Sequence, residues 1–163
     1  MCFEGACAHF RTRSFSAGVA LLDAIGRLAD AANHHRDVDL LYAGVTVRLV
    51  SHDIDGLSAR DVELARQISA VAHELDVDAD PTAVQTVQVS IDALGPEVRP
   101  FWRAVLGYRE KGSEDLVDPH GRGPSLWFQR LDSPRPQRNR IHVDISVPSD
   151  EAEACVTTWM GRD

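Results

Sequence analysis

Three of the seven histidines of this chain fall within NHHRDVDLLYAGVTVRLVSH, residues 33–52. His34 and His35 are adjacent, and His52 closes the stretch. Asp30 stands just before it, Tyr42 inside it and Asp61 a short way after it. An imidazole titrates near neutrality, so it can either take up or release a proton at working pH. Imidazoles with carboxylates to orient them therefore suit acid–base chemistry on a small molecule. A plainer role fits the same residues. Adjacent histidines at a helix C-terminus interact favourably with the helix dipole, and Asp61 could serve only as a cap. The elements around them have to bring the groups together before chemistry follows.

HFRTRSF, residues 9–15, alternates and reads as a short strand. Ser16 can cap a helix running to about Asn33, with Leu21, Ile25, Leu28 and Ala32 as its apolar stripe. The opposite stripe is Asp23, Arg27, Asp30 and His34, which sets Asp30 one turn from His34, where a carboxylate can orient an imidazole. DVDLLY and VTVRLVSH follow as two strands about an Ala43-Gly44 turn. Val45, Val47, Leu49 and Ser51 share one face of the second strand; Thr46, Arg48, Val50 and His52 share the other. Ser58 and Asp61 form a capping-box pattern opening a helix with Leu64, Ile68, Val71 and Leu75 inward. A helix end, a strand end and a helix start thus carry the polar groups, and three such ends can meet at one pocket rim.

The run Asp30-x3-His34-His35, then Tyr42, His52 and Asp61, resembles the signature of the pterin-4a-carbinolamine dehydratases over about residues 10–76. The resemblance implies an α+β fold, with helices on one face of an antiparallel sheet. It implies elimination of water from a 4a-hydroxytetrahydropterin, with no metal or bound cofactor. It carries over His34, His35 and His52 around the pterin, with Asp61 orienting a histidine or the ring, and Asp30 and Tyr42 in support. On this reading His35 and His52 share the acid and base roles, and His34 is held by Asp30. The family pattern has Pro after the histidine pair and Glu at the Asp30 position. Arg36 here frees the backbone and is expected to add a charge at the rim.

DVDADPTA, residues 76–83, is acidic and aperiodic, and residues 77–85 read as a linker. Beyond it TVQVSIDA alternates, with Val87, Val89 and Ile91 inward and Gln88, Ser90 and Asp92 outward. PEVRPFWRAVLGY reads as a helix with Val98, Trp102 and Val105 on one side. DLVDP, SLWFQRL and RIHVDISV read as strands, and SPRPQRN as a loop. VQVSID overlays on IHVDIS, a weak internal repeat. FW-x2-VLGY and the Arg-Ile-His-Val-Asp strand resemble the glyoxalase-like, vicinal-oxygen-chelate family over about residues 86–154. That resemblance implies a βαβββ module, and it puts Gln88, Gln129 and His142 at or near metal-ligand positions. Amides are weak ligands for a divalent ion, so polar residues lining a cleft are the favoured reading there. Trp102, Trp127 and Phe128 read as core.

Composition sets the outer limits. A net charge of −8 argues against sequence-independent nucleic-acid binding. No apolar run approaches a membrane span, and the absence of a secretory pattern leads to an expected cytoplasmic location. Cys2, Cys7 and Cys155 are too few and too scattered for a disulfide framework, and Cys2, Cys7 and His9 lack a fourth metal ligand. The expected organisation is a dehydratase-like domain over 1–76, abridged at its N-terminus, and a glyoxalase-like domain over 86–163, abridged at its C-terminus. The expected function is a 4a-hydroxytetrahydrobiopterin dehydratase, a hydro-lyase acting on a pterin substrate, in a homodimer or higher homo-oligomer. The competing expectations are a non-catalytic binding or dimerisation protein with a relic site, and a metal-dependent glyoxalase- or dioxygenase-like enzyme.

Overall fold

The computed structural model describes residues 5–54, 56–95, 98–133 and 141–160. Two compact units divide the chain: one holds the residues up to Gln85 with the segment from Val147, and the other is Thr86–Ser146. The architecture is α+β in both.

In the first unit β1 (Ala6–Arg11), β2 (Asp37–Leu41), β3 (Gly44–Leu49) and β4 (Asp78–Ala79) form an antiparallel sheet in the order β2-β3-β1-β4. Alternation in β3 does what its sequence predicts: Val45, Val47, Leu49 and the following Ser51 are buried. Helices α1 (Phe15–Ala31) and α2 (Ala59–Glu74) cover that face, with Leu21, Ile25, Leu64, Ile68 and Ala72 packing on Phe10, Val45, Val47 and Leu49. Burying each of the large aliphatic side chains contributes roughly 1.5–3 kcal/mol.

Local chemistry moves several boundaries from their expected places. β1 lies earlier than the 9–15 strand, because Ser14, not Ser16, caps α1, its hydroxyl accepting from the Ala17 amide at 3.2 Å. The inward stripe of α1 is Gly18, Leu21, Ile25 and Ala29, so Ala32 is exposed. Leu75 is likewise exposed and Ala72 takes its place inside. The 77–85 segment is not a free linker in this structure: β4 pairs with β1, Val77 enters the core, and Pro81–Ala83 makes a short 3-10 turn. Its acidic residues are matched by cations, Asp80 by Arg11 and Asp78 by Arg13.

Both long helices stop in the same way. Asn33 and Asp76 adopt left-handed backbone (φ 44° and 55°), and the next amides, His34 and Val77, donate back to Ala29 and Ala72 carbonyls at 2.9 Å. This pair of Schellman turns swings the following residue inward, a position that normally receives an apolar side chain. Val77 follows that rule. His34 takes the equivalent place after α1 and is also buried, at 6% exposure.

In the second unit β5 (Thr86–Ala93), α3 (Val98–Leu106), β6 (Arg109–Lys111), β7 (Asp115–Val117) and β8 (Ser125–Arg130) build a βαβββ module, with β9 (Ile141–Ser146) added beside β5. The sheet order is β6-β7-β8-β5-β9; β8 runs parallel to β5 and β9 antiparallel to it. Ile91, Leu116, Leu126 and Phe128 are its core, with Val98 and Trp102 of α3 packed against them. β6, a short hairpin partner of β7, has no counterpart in the sequence reading. Val105 is exposed instead of sharing the buried side of α3. Ser90 and Asp92 lie on the face opposite Ile91, as expected, but are buried there and meet Asp144 and His142 of β9. By its contacts α4 (Ala152–Met160) groups with the first unit. The loop SPRPQRN, apart from Ser133, lies outside the described residues, as does Cys2.

Candidate catalytic site

Asp61 organises the polar centre of the first unit. It is the third residue of α2, and its side chain is 1% exposed. One carboxylate oxygen accepts from the Ser58 amide (2.8 Å), the Ser58 hydroxyl (2.9 Å) and the Ser51 hydroxyl (2.6 Å). The other lies 2.9 Å from His34 Nε2 and 3.1 Å from the Arg36 guanidinium. Burial alone would raise this carboxyl. The hydrogen bonds from Ser51 and Ser58 and the charge on Arg36 outweigh it and hold the pKa at about 2. Asp61 is therefore ionised at neutral pH and can only accept.

That fixes the state of His34. Its imidazole is held below the usual histidine range, first by burial and then by the charge on Arg36, against the pull of Asp61. It is neutral at pH 7. An acceptor-only carboxylate at Nε2 requires the single ring proton to sit there, leaving the lone pair on Nδ1. The geometry thus makes an Asp61–His34 pair with a fixed tautomer and one basic nitrogen.

Arg36 is an unexpected member of this cluster. The rim charge that the sequence suggested is instead 4% exposed and in ion-pair contact with Asp61; it also donates to the His35 carbonyl. Burial holds its guanidinium below the ordinary arginine value. Among the described residues its Nε and Nη2 find no hydrogen-bond partner of good geometry.

His35 points the other way from its neighbour. Its ring is exposed and its Nε2 lies 2.8 Å from Asp30 Oδ1, with both side chains largely in solvent. The expected Asp30–His34 pair is therefore replaced by Asp30–His35 and Asp61–His34. The reason is the left-handed Asn33: the helix ends at Ala31, and the one-turn spacing that would align residues 30 and 34 is broken. His52 is exposed in the turn after β3, just beyond Ser51, which bonds Asp61. Tyr42 is 77% exposed in the β2–β3 turn and has no described bond to the cluster. Ser51 was legible only as a buried-face residue. Ser58 was legible as a cap, and that same capping bond is what charges and orients Asp61.

The polar face of β5 and β9 holds the other sequence candidates. Gln88 is in register with Asp144, Ser90 with His142, and Asp92 with Gln129. The Ser90 hydroxyl donates to Asp144 at 2.7 Å, and His142 Nε2 lies 3.3 Å from the buried Asp92 carboxylate. Gln129 is exposed near the end of β8. Among the described residues no group of three or more His, Cys, Asp and Glu side chains is set to hold a metal ion. With amides at Gln88 and Gln129, the donor chemistry does not fit a divalent cation. None of the described helices is long and apolar enough to cross a membrane.

Residues 5–71 match the family model for pterin 4 alpha carbinolamine dehydratase. Over 62 residues, 38% of this chain, the sequence is 42% identical to a "Putative pterin-4-alpha-carbinolamine dehydratase" of Nocardia farcinica and covers 65% of it. A protein of the same name from a Roseiflexus species is 39% identical over 62 residues, again 38% of this chain and 67% of the relative. The chain belongs to the pterin-4a-carbinolamine dehydratase family. Its matched segment spans about two thirds of those relatives. Residues 88–161 match the model for a glyoxalase-like domain. A crystal structure titled transcriptional coactivator/pterin dehydratase, from Brucella melitensis, aligns with 42% of this chain and 73% of its own, at 26% identity and a TM-score of 0.41. In this chain the two adjacent histidines are split between a buried and an exposed carboxylate.

Proposed function

We propose that the first unit is a 4a-hydroxytetrahydropterin dehydratase. The observation that supports this best is the division of the histidine pair. His34 is buried, neutral and fixed by Asp61, while His35 is presented to solvent and oriented by Asp30. The reaction removes the proton on N5, forms the C4a=N5 double bond and releases the C4a hydroxyl as water once it has gained a proton. It needs one base and one acid on a single C–N unit. His35 and His52, both exposed, share those roles. With Asp30 accepting at Nε2, neutral His35 has its lone pair on Nδ1, and protonated His35 has a donor there. His34 acts behind them as a positioning residue, turning the His35 backbone outward through the Schellman turn. The substrate is a pterin, and the residues named here perform the step without a bound cofactor.

The test is ultraviolet-monitored dehydration of freshly generated 4a-hydroxytetrahydrobiopterin. His35→Ala and His52→Ala are each expected to lose about 10²–10⁴-fold in turnover, the usual contribution of a general acid or base. A folded wild-type chain that leaves the spontaneous rate unchanged would refute the assignment, as would full activity in both variants.

A further inference from the structure

β9 is the terminal strand of the second sheet, so one of its edges has no neighbouring strand among the described residues. Its side chains divide sharply. Ile141, Val143 and Ile145 lie on the face that carries Val87, Val89 and Ile91 of β5, yet they are 54%, 58% and 38% exposed. His142 and Asp144 lie on the other face. α3 covers the apolar face only in part. Val98 and Trp102 point into it, and Arg99 and Arg103 on one flank meet Glu110 of β6. Helical spacing puts Phe101 and Val105 on the opposite flank, away from β6, and they are 59% and 60% exposed. An apolar trough results, with β9 as its floor and that flank of α3 as its wall. A flat apolar edge strand of this kind is a ready template for pairing with another chain.

We propose that the occupant is a second copy of this chain, with two β9 strands paired antiparallel about a two-fold axis through Val143. The strand is complementary to itself in that register. Ile141 faces Ile145 of the second copy, Val143 faces Val143, and His142 faces Asp144. The pleat requires opposed residues to share a face, so a one-residue slip is excluded. A two-residue shift one way sets His142 against His142, and the other way sets Asp144 against Asp144. An imidazole can donate to an opposed carboxylate, whereas two opposed carboxylates repel and two opposed imidazoles leave both aspartates without that donor. The Val143-centred register is therefore the one that matches donor to acceptor on the polar face. The two sheets then become one of ten strands, and the two troughs join between the two α3 helices. This pairing is independent of the dehydratase reading.

The experiment uses the full chain. Light scattering after size exclusion is expected to give twice the chain mass of 17.9 kDa. Val143→Lys, which opposes two lysines on the axis, should raise the dissociation constant at least tenfold with an unchanged circular dichroism spectrum. Val143→Cys should form a 143–143 disulfide on mild oxidation, mapped by peptide mass spectrometry, since directly opposed strand residues lie within disulfide reach. Ile141→Cys should fail to couple to itself but should couple to Ile145→Cys in a mixture. A monomeric wild type overturns the proposal. So does a dimer that survives Val143→Lys without the 143–143 link, which would assign the trough to a different occupant or the dimer to a different surface.

Discussion

Replacing Asp61 by Asn keeps the volume at the centre of the first unit and removes the buried negative charge in contact with Arg36 and His34. Two routes give the size of the effect. Protonation linkage compares a folded carboxyl at about 2 with an ordinary value of 3.8; that difference corresponds to about 2 kcal/mol of stability. Breaking a buried ion pair by removing one partner costs about 3–5 kcal/mol, because the other charge is left uncompensated. Asp61→Asn should therefore destabilise the unit by about 3 kcal/mol at pH 7. The sign of the pH effect follows from the lowered pKa. The stabilisation is fully present above about pH 4 and is lost as the pH falls toward about 2. The variant should lack that part of the acid limb. Urea unfolding followed by far-ultraviolet circular dichroism is the right assay, since α1 and α2 are the longest of the described helices. Tryptophan fluorescence would mix the two units, because Trp102 and Trp127 lie in the second. Adding Arg36→Met should recover about 1 kcal/mol or more, since the uncompensated cation is gone. An Asp61→Asn protein within about 0.5 kcal/mol of wild type, with its acid limb intact, would refute this account of the cluster.

Nitrogen-15 NMR of the imidazoles should find His34 neutral at pH 7, with its proton on Nε2 and a midpoint below the ordinary histidine value. A raised midpoint would mean that attraction to Asp61 prevails over burial and Arg36. Gly44→Ala should lower the stability of the first unit by about 1–3 kcal/mol, since the added methyl would sit 2.5 Å from the His9 ring and 2.6 Å from the Phe10 carbonyl. An unchanged urea midpoint would show that β1 and β3 are not held that closely at this crossing. Ser51→Ala should raise the Asp61 pKa by removing its 2.6 Å hydrogen bond, and so move the acid unfolding midpoint upward; an unmoved midpoint would leave Ser58 as the main support.

The sequence by itself determined what depends on short-range periodicity and on capping. β3 buries Val45, Val47 and Leu49 because alternation admits one buried face, and Ser58–Asp61 caps α2 because a carboxylate at that spacing reaches back to the amide. The limits of β5 were legible from its alternation, though not which of its residues are buried. The tertiary structure alone decided which carboxylate holds which histidine. Spacing along an unbroken helix joins Asp30 to His34. One left-handed residue, Asn33, ends the helix, turns His34 into the core toward an aspartate from another helix, and leaves Asp30 to His35. Arg36 went from an expected rim charge to a buried one because Asp61, distant in sequence, supplies the counter-charge that lets it desolvate. In the same way Ser90 and Asp92 find their partners on β9, and no local pattern in either strand specifies its neighbour.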